Sequence, residues 1–265
     1  LRLANYIDIF ICNLQSEICN LKFTHMHFFL LEDFNRPILT GDEHRHLSRV
    51  LRLAPGASVL LSAGDGRVQE AVIEDVGREE TRCRVTALHE EYHESPIEVI
   101  LLQGILKNHG KLDWLVEKGT ELGMRRFIPM ITERCVSQSV KQERLQKLAL
   151  AAMKQCQRGR IPEVGKPQHL SGVTGNLTDA RLLLFHESAS AGAVPETLVF
   201  DQRPLALFVG PEGGFSEDEV DLLREKGADV LSLGPRRLRG ETAGLAALAR
   251  VAGMIENSRL QIENE

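Results

Sequence analysis

Leu205-Ala206-Leu207-Phe208-Val209-Gly210-Pro211-Glu212-Gly213-Gly214-Phe215-Ser216-Glu217-Asp218-Glu219 decides the fold. The apolar run Leu205–Val209 has the length and composition of one buried strand. A glycine-rich turn follows at once, and Ser216 with Glu219 has the spacing of a capping box, so a helix starts there. Gly227 suits its end. The pattern then repeats. Val230-Leu231-Ser232-Leu233 reads as a strand and Gly234-Pro235-Arg236-Arg237-Leu238-Arg239-Gly240-Glu241-Thr242 as a loop. An Ala/Leu-rich helix follows from Thr242 to Ile255. Two strand-loop-helix units lie end to end, and small molecules bind beside such loops at the carboxyl ends of parallel strands.

Working outward, the same alternation holds upstream. Ile97–Leu102 is a strand, and a loop holding Lys107, Asn108 and His109 leads to a helix with Leu112, Leu115, Val116 and Leu122 on one face. Arg126–Ile131 is the next strand. The helix after it puts Leu145, Leu148, Ala149, Ala152, Met153 and Cys156 on one side and a basic stripe on the other. Arg181–Phe185 ends in His186-Glu187. Strands alternating with helices predict an α/β fold with a largely parallel sheet over 93–257, followed by a short tail at 258–265.

Residues 26–92 read differently. Short strands at Ser58–Ser62, Val68–Ile73 and Thr81–Val85, separated by Ala54-Pro55-Gly56 and Gly64-Asp65-Gly66, predict a small β domain. His44–Arg52 is expected to be a helix with Leu47, Val50 and Leu51 inward, leaving Arg45, Arg49 and Arg52 to face phosphate or simply water. His44 and His46 stand at i, i+2, a spacing that does not converge on a helix, so no metal is expected. Residues 1–25 lack a basic n-region and read as an upstream or added extension rather than a secretory signal.

Composition narrows the class. The 265 residues are 43% apolar and carry a net charge of −5. No apolar run approaches membrane-spanning length. Five scattered cysteines form no C-x-x-C pair, which fits reduced thiols in a cytosolic protein better than zinc or disulfides. The charge is uneven: residues 93–170 carry 13 Lys and Arg against 8 Asp and Glu, while both flanking regions are acidic. A basic middle can attract phosphate despite an acidic total.

The glycine turns exclude two common sites. Gly210-Pro211-Glu212-Gly213-Gly214 is neither G-x-G-x-x-G nor a P-loop, and Glu212 would repel a phosphate. A carboxylate among backbone amides suits hydroxyls and a heterocycle, such as an adenosine without phosphates.

Leu205–Ala252 closely resembles the C-terminal signature of the ribosomal RNA small subunit methyltransferase E family, the 16S rRNA uridine-N3 methyltransferases of the SPOUT class. Gln103-Gly104-Ile105-Leu106-Lys107, Glu117–Gly123, Thr132-Glu133-Arg134, Gln155 with Arg158 and Pro162, and Phe185-His186-Glu187 fall in the family's order. The resemblance covers residues 26–257. It departs at Gly240, where the family usually has Thr, and the first 25 residues have no counterpart. It implies a SPOUT-type parallel sheet with a C-terminal trefoil knot, a PUA-like RNA-binding β-barrel at 26–92, and a homodimer.

The same resemblance implies transfer of a methyl group from S-adenosylmethionine, without a metal, to N3 of one uridine near the decoding region of 16S rRNA in the small ribosomal subunit. Cofactor contacts carry over to His186, Glu187, Val209, Gly210, Pro211, Glu212, Gly213, Gly214, Leu233, Gly234, Leu238, Thr242 and Ala243. Arg239 is expected to stabilise the uridine anion, and Glu241 to orient that arginine or accept the proton; Arg236 and Arg237 are secondary candidates. RNA contacts are expected from Arg45, Arg49, Arg52, Lys107, Lys111, Lys118, Arg134, Lys154 and Arg158. Two other readings stay open: a tRNA ribose 2′-O-methyltransferase of the same class, and a noncatalytic ribosome-assembly factor.

Overall fold

The structure, a computed structural model, describes residues 26–187 and 203–262. The extension expected at 1–25 lies outside them.

The first sheet takes five strands, β1 (His27–Leu30), β2 (Ile38–Leu39), β3 (Ser58–Ser62), β4 (Val68–Val76) and β5 (Thr81–His89), in the order β1-β3-β4-β5-β2. β1 runs parallel to β3 and the other pairs are antiparallel. Register shifts between Glu70 and Ala71 and between Ile73 and Asp75 bend β4 against β5. Phe29, Leu39, Leu47, Val59, Leu61 and Ile73 fill one face.

The helix expected at 44–52 is divided. α1 (Gly41–Arg45) passes into a π-helical turn, His46–Leu51, which closes at Arg52 in the left-handed region. The wider winding spoils the i, i+3 alignment that would carry Val50 inward with Leu47. Leu47 is buried, but Val50 is 69% exposed, which corrects that assignment.

The second sheet is parallel throughout. β6 (Val99–Gly104), β7 (Arg126–Ile131), β8 (Glu163–Val164), β10 (Arg181–Phe185), β11 (Leu205–Val209) and β12 (Asp229–Leu231) stand in the order β12-β10-β11-β6-β7-β8, and β9 (Gln168–His169) also pairs with β7. Its central strands β6, β10 and β11 carry runs of apolar residues because both faces are covered. Leu101, Phe127, Leu183, Phe185, Leu205, Leu207 and Val209 point to one side, where they meet α2 (His109–Glu121), α3 (Gln142–Cys156) and α6 (Gly240–Ile262). The alternating residues Ile100, Leu102, Ile128, Leu182, Leu184, Ala206 and Phe208 point to the other, against the short α4 (Leu170–Val173) and α5 (Glu217–Glu225). α6 continues past 257, where a tail was expected, to Ile262.

The segment after α3 joins the two parts. Arg158 is buried, with its side chain 4% exposed, and forms an ion pair with Glu94, itself 1% exposed. Its Nη1 donates to the carbonyls of Thr120 at 2.7 Å and Met124 at 3.0 Å. Gly159 donates to Tyr92 O and accepts from Gly66 N, while the Ser62 hydroxyl donates to Gly159 O at 3.1 Å. A side chain at 159 would place its Cβ 2.5 Å from Gly66 O, so glycine alone permits that approach. Lys154 Nζ bonds Glu43 on α1 at 2.5 Å. Arg158 and Lys154, expected to bind RNA, are instead held within the protein: Lys154 and Gly159 fasten the second domain to the first, and Arg158 is held by Glu94, Thr120 and Met124 of its own domain.

Candidate active site

Because every strand of the second sheet points the same way, the ends of β6, β10, β11 and β12 lie on one edge. α5 begins with the expected capping box: the Ser216 hydroxyl accepts from Glu219 N, and the Glu219 carboxylate accepts from Ser216 N at 3.0 Å. This fixes the exit of the glycine turn. Gly214 takes φ +70°, a conformation side chains rarely adopt, and its N–H closes the turn onto Pro211 O at 2.9 Å. After β12, the Ser232 hydroxyl accepts from Gly234 N at 3.1 Å.

A cleft opens between these turns. Of the expected cofactor residues, His186, Glu187, Val209 to Gly214, Leu233, Gly234, Leu238 and Ala243 line it. Thr242 is exposed and does not. The structure adds Arg134, Phe185, Phe215, Ser232, Arg236, Arg237 and Gly240 to the lining. Arg134 had been read as an RNA contact. Its Nη1 donates to Gly213 O at 3.0 Å, and neighbouring Glu133 N donates to the Glu219 carboxylate at 2.8 Å, so the loop after β7 braces the glycine turn.

A third side of the site comes from the segment after β6. A Cβ on Gly104 would fall 2.4 Å from the ring nitrogen and Cδ of Pro211. The Glu212 carboxylate accepts from Lys107 N at 3.2 and 3.3 Å. Buried Gln103 donates through Nε2 to Gly210 O at 2.8 Å. Gly240, the departure from the family's usual Thr, lies where a Cβ would come within 2.6 Å of buried Leu106. The missing side chain lets Leu106 pack beneath the second loop.

Electrostatics follow burial. Desolvation holds the His186 imidazole below its ordinary value; Arg224 and Arg134 push the same way and Glu187 opposes them. The ring is therefore neutral at physiological pH, and its backbone N–H ties the strand end to Leu231 O at 3.0 Å.

The two expected catalytic side chains separate. Arg239 is exposed and does not line the cleft, although its neighbours Leu238 and Gly240 do, and its carbonyl caps α6 by accepting from Ala243 N. Glu241 is buried in the first turn of α6 and pairs with Lys111 Nζ at 3.1 Å, not with Arg239. Lys111, expected from the sequence to contact RNA, is thus the side chain that Glu241 holds. A carboxylate in the first turn of a helix is also favoured by its dipole.

Among the other expected RNA contacts, Arg49, Arg52 and Lys107 are exposed. Arg45 is exposed but pairs with Asp42, and Lys118 lies between Glu117 and Glu121 at 2.8 Å each. His44 Nδ1 is committed to Thr81 Oγ1 at 2.8 Å while His46 is exposed, so the two do not converge.

A family model for an RNA methyltransferase domain matches residues 93–252, and one for an RNA methyltransferase PUA domain matches residues 39–86. Fold and site therefore define an RNA methyltransferase that carries a PUA domain. The ribosomal RNA small subunit methyltransferase E of Bacillus subtilis is 31% identical over 231 residues, 82% of this chain and 90% of its own. That of Synechocystis sp. is 33% identical over 227 residues, 83% of this chain and 73% of its own. The chain belongs to the ribosomal RNA small subunit methyltransferase E family. A crystal structure of the family member from Neisseria gonorrhoeae, bound to S-adenosyl methionine, matches with a TM-score of 0.74 at 27% identity, covering 87% of this chain and 98% of that one.

Proposed function

We propose that this protein methylates N3 of one uridine in the decoding region of 16S rRNA, using S-adenosylmethionine and acting on the small ribosomal subunit. The observation that carries this reading is the convergence of three loops, after β10, β11 and β12, on one cleft lined by glycines, apolar side chains, the carboxylates of Glu187 and Glu212 and the side chains of Arg134, Arg236 and Arg237. That lining fits a nucleoside with a cationic sulfonium: Glu187 and Glu212 supply negative charge, and Leu233, Leu238 and Phe215 supply apolar walls. When bound, S-adenosylmethionine supplies a methyl group already activated toward nucleophiles, its bond to sulfur breaking toward sulfur as a bond to N3 forms.

The chain's own task concerns the base. Neutral uracil N3 has no useful lone pair, so its proton must first pass to solvent water, and the negative charge then spreads to the flanking carbonyl oxygens. Arg239, exposed beside the lining residues Leu238 and Gly240, takes the role of stabilising that charge, while Lys111 is held by Glu241. The target base leaves its stack to enter the cleft, while Arg49, Arg52 and Lys107 hold phosphates around it. Arg239→Ala is expected to slow methyl transfer about a hundredfold and to leave S-adenosylhomocysteine affinity within about twofold. An unchanged rate in single-turnover assays would remove Arg239 from the chemistry.

The same reading places a PUA-like β-barrel at 26–92 and a SPOUT domain at 93–257. It closes the chain around α6 as a trefoil knot, pairs two copies in a homodimer, and locates the protein in the cytoplasm. α6 starts beyond β12 at the sheet's edge yet packs against β6 and β11, which supports threading of that kind. Incubation with labelled S-adenosylmethionine and small subunits lacking the modification, followed by nucleoside mapping, tests the proposal. Label at uridine N3 is expected. Label on a tRNA ribose selects the 2′-O reading, and RNA binding without label selects the assembly factor.

A further inference from the structure

Gln103 is the next-to-last residue of β6, with its side chain fully buried. Its two polar atoms fare differently. Nε2 donates to Gly210 O at 2.8 Å and to Gly104 O at 3.2 Å. Oε1 has no hydrogen-bond partner among the described residues. It faces α6 at Gly244, where any Cβ would lie 2.7 Å from it. Turning the amide over would set Oε1 against two carbonyls and lose both bonds, so the orientation is fixed by its neighbours.

A buried acceptor without a donor destabilises a fold, and an apolar side chain of the same shape would avoid that penalty. Packing gives no reason for glutamine here. The bond to Gly210 does. Gly210 O belongs to the peptide joining Gly210 to Pro211, the first bend of the glycine turn, and the Pro211 ring rests on Gly104. Two consecutive residues of β6 thus fix one peptide unit: Gln103 holds its oxygen and Gly104 leaves room for its ring.

We propose that Gln103 is a positioning residue for cofactor binding: it holds the Gly210 carbonyl against β6, so that the glycine turn keeps its ligand-ready shape. The inference rests on the reading of this cleft as the S-adenosylmethionine site. It separates affinity from stability on substitution: the orphaned Oε1 weakens the fold and offsets what the Nε2 bonds contribute to it, while those bonds alone serve the ligand.

The test is calorimetric titration of S-adenosylhomocysteine into the full chain, paired with thermal unfolding without ligand. Gln103→Met keeps the volume and removes both polar atoms. Losing the orphaned Oε1 offsets losing the Nε2 bonds to two carbonyls, so it is expected to melt within a few degrees of the wild type and to bind about tenfold more weakly. Gln103→Glu is the conservative rescue: a protonated carboxyl can donate to Gly210 O, whereas an ionised one repels both carbonyls. Burial raises such a carboxyl's pKa, so its affinity relative to wild type should approach unity at low pH and fall as pH rises.

Wild-type affinity for Gln103→Met, or a melting temperature well below wild type, would overturn the inference and make Gln103 an ordinary structural residue. A pH-independent affinity ratio for Gln103→Glu would do the same. A wild-type chain that does not bind the ligand would instead overturn the cofactor reading, and the inference with it.

Discussion

Gly104→Ala is expected to destroy cofactor binding while leaving a folded protein. The added methyl would fall 2.4 Å from Pro211 N and Cδ and 2.9 Å from Gly210 C. Two of those three atoms are backbone, so no side-chain rotation relieves the contact. The turn after β11 must withdraw by roughly 1 Å to restore ordinary carbon contacts near 3.5–4.0 Å. It cannot do so freely, since Arg134 holds Gly213 O and Lys107 N holds the Glu212 carboxylate. Displacements of that size in a preformed site cost on the order of a hundredfold, and overpacking of this kind destabilises by about 1–3 kcal/mol. Titration of S-adenosylhomocysteine should show affinity reduced about a hundredfold or more, with a cooperative melt retained at a lower temperature. Unchanged affinity would mean that the turn is not seated on β6.

The largest stability effect is expected at Arg158. Its guanidinium closes a buried network with Glu94 at 2.6 and 3.2 Å and with two carbonyls, and the Glu94 carboxylate also accepts from Arg160 N at 3.0 Å. Removing one partner of such a pair strands the other charge away from water, at about 3–5 kcal/mol. For a chain of this size, that corresponds to a melting temperature lower by on the order of 10 °C. Arg158→Ala should show this loss in thermal unfolding, with the catalytic cleft otherwise intact. Pairing Arg158→Met with Glu94→Leu should recover much of it, because apolar replacement removes the desolvation penalty together with the pair. A shift of only a degree or two for the single variant would show that the network contributes little.

What the sequence disclosed and what it concealed divide along one physical line. Local spacing is legible in the chain: the Ser216 and Glu219 capping box, the apolar strands buried on both faces, and the turn glycines at 214 and 227 are each set by neighbours a few residues away. These sufficed to place most of the cleft. Burial of a charge depends on partners far along the chain. Lys154 sits on a helix whose other basic residues face solvent and Arg158 follows just past its end, and nothing nearby marks them as paired with Glu43 and Glu94. Val50 deceived for a different reason: an i→i+5 turn replaced the α-helical period that its spacing suggested. Glu241 stood beside Arg239 in sequence, yet helix α6 turns it toward Lys111, while Gln103 fell just past the strand expected at Ile97–Leu102. Both belong to a side of the site that forms only when β6 and β11 become neighbours.

That juxtaposition is where the family's chemistry and this chain's own packing meet. Gly240 and Leu106 illustrate it: the second ligand loop accommodates a residue unlike the family's usual threonine because a leucine from the β6 side fills the space beneath it. The site is therefore a property of four strand ends acting together. Substitutions at 103–111 should affect the ligand as strongly as those in the loops themselves.

The most direct measurement is a crystal structure of the protein with S-adenosylhomocysteine. The account predicts the ligand between the turns at 210–214 and 232–240, with Gly210 O still bonded to Gln103. Ligand density elsewhere on the chain, with that cleft empty at saturating concentration, would contradict it.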